Sequence, residues 1–226
     1  MEYIIDRGPD FSVLKVKLSA GESITAEPGA YMLHRGEIDI STGLGGQGMM
    51  SALGRMFLGG ESIFLNTFRA RGPSEIWFVP PIPGDIKPMA LRGTDVLIQD
   101  TSYLAHVGDV KLGIAFRGFR GFIAEGEIIW LRASGTGTVF INSFGAIEEI
   151  ELGRGERMTV DNGHAVAMEA SLRWNIRKLG GIKTLLAGGE GLVIEVEGPG
   201  RMWLQTRTLA SLGQALTKFI LKGEKK

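Results

Sequence analysis

Val16-Lys17-Leu18-Ser19-Ala20-Gly21-Glu22-Ser23-Ile24-Thr25-Ala26-Glu27-Pro28-Gly29 aligns without a gap with Ile150-Glu151-Leu152-Gly153-Arg154-Gly155-Glu156-Arg157-Met158-Thr159-Val160-Asp161-Asn162-Gly163. Leu18, Gly21, Glu22, Thr25 and Gly29 fall on Leu152, Gly155, Glu156, Thr159 and Gly163, and Glu27 meets Asp161. A weaker third copy begins at Leu91, with Asp95, Leu97 and Asp100 in the places of Glu22, Ile24 and Glu27. Later stretches recur too: Ile63–Phe68 resembles Val139–Phe144, and Gly72-Pro73 before Trp77 returns as Gly198-Pro199 before Trp203. Self-similarity of this kind marks one supersecondary unit used several times, because a single copy cannot cover its own apolar face.

Within a copy the apolar residues alternate. Leu14, Val16 and Leu18 interleave with Val13, Lys15 and Lys17, and Ile38 and Ile40 with Glu37, Asp39 and Ser41, which is the period of a half-buried strand. Pro28-Gly29 and Asn162-Gly163 read as tight turns in which glycine supplies positive φ. The expected fold is all-β, three β-sandwich or barrel-like units spanning about 11–80, 86–146 and 147–206 of one domain. One helix is expected at 208–222, capped by Thr208, with Leu209, Leu212, Leu216, Phe219 and Ile220 on one stripe packed on the sandwich.

Composition removes whole classes of function. The 226 residues hold no cysteine, so thiolate nucleophiles, iron–sulfur clusters and Cys-ligated zinc are excluded. Lys plus Arg and Asp plus Glu are both 25, so the chain lacks the basic field of a duplex-DNA binder. Glycine stands at 34, about twice ordinary usage, without a Gly-X-Y period, which fits a chain of many turns. Neither a leader-like N-terminus nor an apolar run of spanning length is legible, and the chain reads as cytoplasmic.

The chemical motifs are weak. Gly43-Leu44-Gly45-Gly46-Gln47-Gly48 satisfies G-x-G-x-x-G but lacks the crossover helix and acidic strand end of a dinucleotide site. Phe116-Arg117-Gly118-Phe119-Arg120-Gly121-Phe122 interleaves aromatics with cations, as single-stranded nucleic-acid binders do, but its period of three suits a glycine-kinked linker better, and RNA is disfavoured. His34 and His106 occupy nearly equivalent repeat positions and, with His164, read as solvated or capping side chains rather than metal ligands. No nucleophile elbow, phosphate loop or acid–base pair is present, so no catalytic residue, metal or cofactor is assigned. The residues offered as an interaction surface are Met49, Met50, Leu53 and Phe57 of the glycine- and methionine-rich segment, Arg117, Phe119 and Arg120, and Leu212 and Phe219 of the helix.

Three stretches carry a family resemblance: Leu18 to Met32, the Gly-Gly-Glu-Ser-Ile-Phe-Leu-Asn-Thr-Phe run from Gly59, and Gly135-Thr136-Gly137 before Val139. Over nearly its whole length the chain resembles the widespread uncharacterised family related to mitochondrial protein twenty-four of the altered-inheritance-of-mitochondria screen. The resemblance implies an all-β fold like that of the tryptophan RNA-binding attenuator protein, of the double-stranded β-helix type, and assembly into a trimer that makes a nine-unit ring. It implies no enzyme activity. The repeats, the abundant turns and the lack of a catalytic constellation point to an oligomeric scaffold or interaction role, with a protein partner or a peripheral membrane contact, and the resemblance adds a link to membrane organisation. The alternative is a binding module for a small ligand or single-stranded RNA.

Overall fold

The computed structural model describes residues 1–44, 63–118, 128–178 and 192–223. Its first stretch contains β1 (Glu2–Asp6), β2 (Val13–Leu18), β3 (Ser23–Ala26), β4 (Tyr31–Arg35), β5 (Ile38–Leu44), β6 (Phe64–Ala70) and β7 (Ser74–Phe78). The second contains β8 (Ile86–Arg92), β9 (Val96–Gln99) and two long strands, β10 (Tyr103–Gly118) and β11 (Ile128–Asn142). The third holds β12 (Ile147–Leu152), β13 (Arg157–Asp161), β14 (Ala165–Glu169), β15 (Arg173–Lys178), β16 (Leu192–Glu197) and β17 (Gly200–Gln205), and helix α1 (Leu209–Gly223) follows. The protein is therefore all-β with one short C-terminal helix, and its sheets, ordered β1-β2-β7-β4, β12-β17-β14-β9-β11-β10-β3-β6-β5 with β8 also on β11, and β13-β16-β15, are open.

The ladders pair the strands in the following registers. Leu18 faces Ser74, Val16 faces Ile76 and Leu14 faces Phe78. Leu152 faces Gly200, Ile150 faces Met202 and Glu148 faces Leu204, the same spacing displaced along the chain. Leu91 faces Gly137 and Met89 faces Val139 in the β8/β11 ladder. The Gly-Glu pairs have a structural job: Gly21 (φ 87°) and Gly155 (φ 75°) turn the chain, and the carboxylates of Glu22 and Glu156 accept the backbone N–H of Ser19 (2.7 Å) and Gly153 (2.9 Å).

The buried residues form three clusters, none confined to one stretch. The first joins Leu14, Val16, Ile24 and Phe78 to Leu104 and Phe140, the second joins Met89 and Tyr103 to Val166 and Trp203, and the third joins Leu97 and Trp130 to Leu152 and Ile194. Apolar surface worth about 25 cal/mol per Å² is thus removed from water by contact between stretches as much as within them.

Four expectations need correction. Asn162-Gly163 is a 3₁₀ turn (Asn162–His164) in which Asp161 accepts the Gly163 N–H at 2.8 Å, so Gly163 does not supply the positive φ that Gly29 does (92°). In the middle stretch Gln99, not Asp100, stands where Glu27 does, four residues before Tyr103 as Glu27 is before Tyr31, because a one-residue deletion precedes β9. Ile40 is exposed although it alternates correctly, because β5 is the outermost strand of its sheet. Thr208 caps α1, its Oγ1 accepting the Ser211 N–H at 3.1 Å, but Leu209, Leu212 and Leu216 are each largely exposed and not packed on the sheets as a stripe.

Candidate functional site

Two joints connect the ladders. β10 lays Ala105 opposite Ala26 and His106 opposite Thr25 of β3, and β14 lays Ala167 opposite Ile98 and Met168 opposite Leu97 of β9. Each docking strand has an irregularity just before the contact, between Tyr103 and Ala105 or between Ala165 and Ala167. β4 carries the same irregularity between Tyr31 and Leu33, yet it is the edge of its sheet, and β13 is likewise the edge of the β13-β16-β15 sheet. One half of a joint is therefore displayed at each end of the described fold.

Burial records the difference. Tyr103, Leu104, Ala105 and His106 are buried, as are Ala165 to Met168, whereas Tyr31 and Met32 are 40% and 50% exposed. On the receiving side Thr25 and Leu97 are buried, while Thr159, which takes their place on β13 opposite Glu195, is exposed.

The docking strand begins with a tyrosine–histidine pair in two cases out of three. The Tyr31 hydroxyl lies 2.9 Å from His34 Nδ1 at the surface, and the Tyr103 hydroxyl lies 2.7 Å from His106 Nδ1 in the interior, with the Thr25 carbonyl oxygen at 3.3 Å. One chain satisfies the buried groups: His106 Nδ1–H donates to the Tyr103 oxygen, whose O–H donates to the Thr25 carbonyl. Burial holds His106 at a pKa of about 4, so it is neutral at pH 7 and not the solvated side chain expected, and it pushes the Tyr103 phenol up, with a smaller push from Glu27. The signal was present as Tyr-x-x-His at 31–34 and 103–106, and it becomes legible only once the strands are paired.

Beside the β3/β10 joint lies a cleft of about 240 Å³ whose lining includes Glu27, Phe64, Asp100, Tyr103, Ile114 and Leu131. Glu27 Oε1 is buried there without a hydrogen-bond partner, and burial, reinforced by Asp100, pushes the carboxyl pKa up to about 8. Sequence reading treated Glu27 only as part of a turn motif, since nothing in a lone Ala-Glu-Pro-Gly announces burial.

Of the residues expected to form an interaction surface, Met49, Met50, Leu53, Phe57, Phe119 and Arg120 lie outside the described residues, as do the side chains of Arg117 and Phe219. Leu212 is exposed on α1. His34, His106 and His164 do not converge, and His164 pairs through Nδ1 with the Gln205 carbonyl at 2.7 Å; no group of three or more His, Cys, Asp or Glu suited to a metal occurs among the described residues. Among those residues no helix is long and apolar enough to cross a membrane.

Residues 3–207 match the family described as Mitochondrial biogenesis AIM24. An uncharacterized protein of Streptococcus pyogenes serotype M6 is 28% identical over 227 residues, covering 97% of this chain and 91% of its own. The crystal structure of a Streptococcus pyogenes protein superposes with a TM-score of 0.81 at 28% identity, covering 96% of this chain and 99% of that one.

Proposed function

The chain belongs to the AIM24 family, described as one of mitochondrial biogenesis, and from that premise we propose that it is a non-enzymatic scaffold built of three copies of one β unit that assembles head to tail into a closed homotrimer. The observation that carries the reading is the pair of half-joints. β4 is exposed where its counterparts β10 and β14 are buried, and β13 is exposed at Thr159 where β3 and β9 are covered. An open strand edge beside exposed Tyr31 and Met32 is a template for another chain. Setting β4 of one copy on β13 of the next, in the register of the internal joints, puts Leu33 opposite Val160 and His34 opposite Thr159. The Tyr31–His34 pair then lies where Tyr103–His106 lies within one chain. A contact between two different surfaces closes into a ring or grows into a fibre, and nine units in three chains is the closed form we favour.

Native mass spectrometry tests this. Three chains of 24.4 kDa give a species of about 73 kDa, and Leu33→Lys, placing a charge in the joint, gives the monomer with unchanged circular dichroism. A wild-type monomer at micromolar concentration, or an L33K trimer, refutes the arrangement.

A second reading, attachment at a lipid surface, is favoured by the exposed Leu209, Leu212 and Leu216 stripe of α1, with Lys218 and Lys222 following it in the chain. Flotation of the whole protein with anionic vesicles, lost in Leu212→Asp, is its test. Equal flotation of both proteins ends it.

A further inference from the structure

We propose that the cleft at the β3/β10 joint is a binding site for a small organic cation, a primary ammonium group carried on an apolar body, with Glu27 as its counter-ion. The internal comparison makes the case. A second cleft sits at the matching place beside the β14/β9 joint, with Ile128 where the first has Ile63. There Gln99 stands for Glu27 and Asn162 for Asp100, although Asp100 itself also borders that cleft. Gln99 and Asn162 have the shapes of the acids they replace and none of the charge. That second cleft is also walled by α1, through residues such as Ala210 and Gly213, whereas none of the described α1 side chains lines the first.

In the first cleft the Glu27 carboxyl is thus a departure from the uncharged side chain at the matching position, and a costly one. Glu27 Oε1 is out of water without a donor, and Asp100 adds repulsion. A carboxyl oxygen held out of water against an apolar wall without a donor marks a position that a cation would complete. The wall specifies the remainder of the ligand: Phe64 is 56% exposed and Ile114 is 38% exposed, so apolar surface stands open around the carboxyl and awaits cover. The volume, about 240 Å³, suits a body of several carbons and excludes a peptide or a nucleotide chain.

The chemistry of binding follows from the protonation state of the empty site. Glu27 is mostly protonated at pH 7, and its pKa falls when an ammonium group arrives, so the carboxyl releases its proton to solvent as the N–H···O⁻ contacts form. Asp100 shares the cleft, and of the groups beside it Tyr103 stays a phenol and His106, behind Tyr103, is already neutral, so neither of these two supplies the proton.

The test is titration calorimetry of the full chain at about pH 7 with n-hexylammonium, n-hexanol and n-hexanoate, in two buffers of different ionisation enthalpy. The expected result is that hexylammonium binds about tenfold or more tightly than hexanol, that hexanoate does not bind, and that about nine-tenths of a proton is released per cation bound. Glu27→Gln, the residue already found at the matching position 99, loses the preference for the cation and the proton release while still binding hexanol. Equal affinity for hexanol and hexylammonium in the wild type, binding without proton release, no heat from any probe at about 10 mM, or an E27Q protein that keeps the cation preference would each overturn the proposal. Its outcome is separate from that of the assembly, which is read by mass and needs no ligand.

Discussion

Replacing Glu27 by glutamine should make the protein more stable, and by an amount that grows with pH. The carboxyl titrates near 4.5 in the unfolded chain and at about 8 in the folded one. Between those values the unfolded state has lost a proton that the folded state keeps, so raising the pH favours unfolding, with a slope approaching 1.4 kcal/mol per pH unit. Stability attached to this group is fully present below about pH 4.5 and lost as pH rises towards 8, a span on the order of 4–5 kcal/mol. Glutamine keeps the shape and cannot ionise. Urea unfolding of wild type and E27Q at one protein concentration, from about pH 5 to pH 8, should give two stabilities that nearly meet at the acid end and diverge by about 4 kcal/mol at pH 7.5. Taking the difference cancels His106, which titrates in both proteins. A gap that stays constant across the range would refute the raised pKa of a carboxyl whose Oε1 is buried without a partner, because only a group whose proton count changes on unfolding can tilt the curve.

The His106 ring works in the opposite direction: it is held at about 4 while an unfolded histidine titrates at 6.5, so stability is intact above pH 6.5 and falls by about 3 kcal/mol on acidification to pH 4, and His106→Met, copying Met168, should abolish that loss in the same assay. Tyr103→Phe strands the Thr25 carbonyl and the His106 ring and should cost about 1–3 kcal/mol by denaturant melting, whereas Tyr31→Phe, at the surface, should leave the isolated chain unchanged and weaken only self-association measured by light scattering. Leu14→Ala, emptying a fully buried site against Phe78, should cost about 2–5 kcal/mol, and Gly155→Ala about 1–2 kcal/mol through its φ of 75° alone, since no atom stands where the new methyl group would go.

Strand content and the two Gly-Glu turns were legible because period-two alternation and a tight turn are local properties: Glu22 and Glu156 reach only three residues back. The mate of each strand was not. Placing His106 inside required knowing that Thr25, some eighty residues earlier, lies across from it, and the tyrosine that shares its hydrogen bond is buried by that same contact. The slip that brought Asp100 into line with Glu27 has a similar origin, since a single deleted residue in a weak copy is invisible until the ladder counts it. Asn162-Gly163 misled for the contrary reason: a strong local hairpin signal yielded to the Asp161 side chain, which closes a 3₁₀ turn instead. The apolar side of α1 was found correctly and its surroundings were not, because periodicity reports a greasy face and is silent about what meets it.

The hairpin of β10 and β11 runs unbroken from the Tyr103–Ile141 pair to the Gly118–Ile128 pair, apart from its two irregularities, and each of its ends is stitched to a different neighbour, β3 and β8 at one, β9 at the other. Such a member behaves as a spar. Load or heat applied to either flank is carried along one continuous ribbon to the opposite flank, so the flanks should lose their amide-exchange protection together and at the same denaturant concentration.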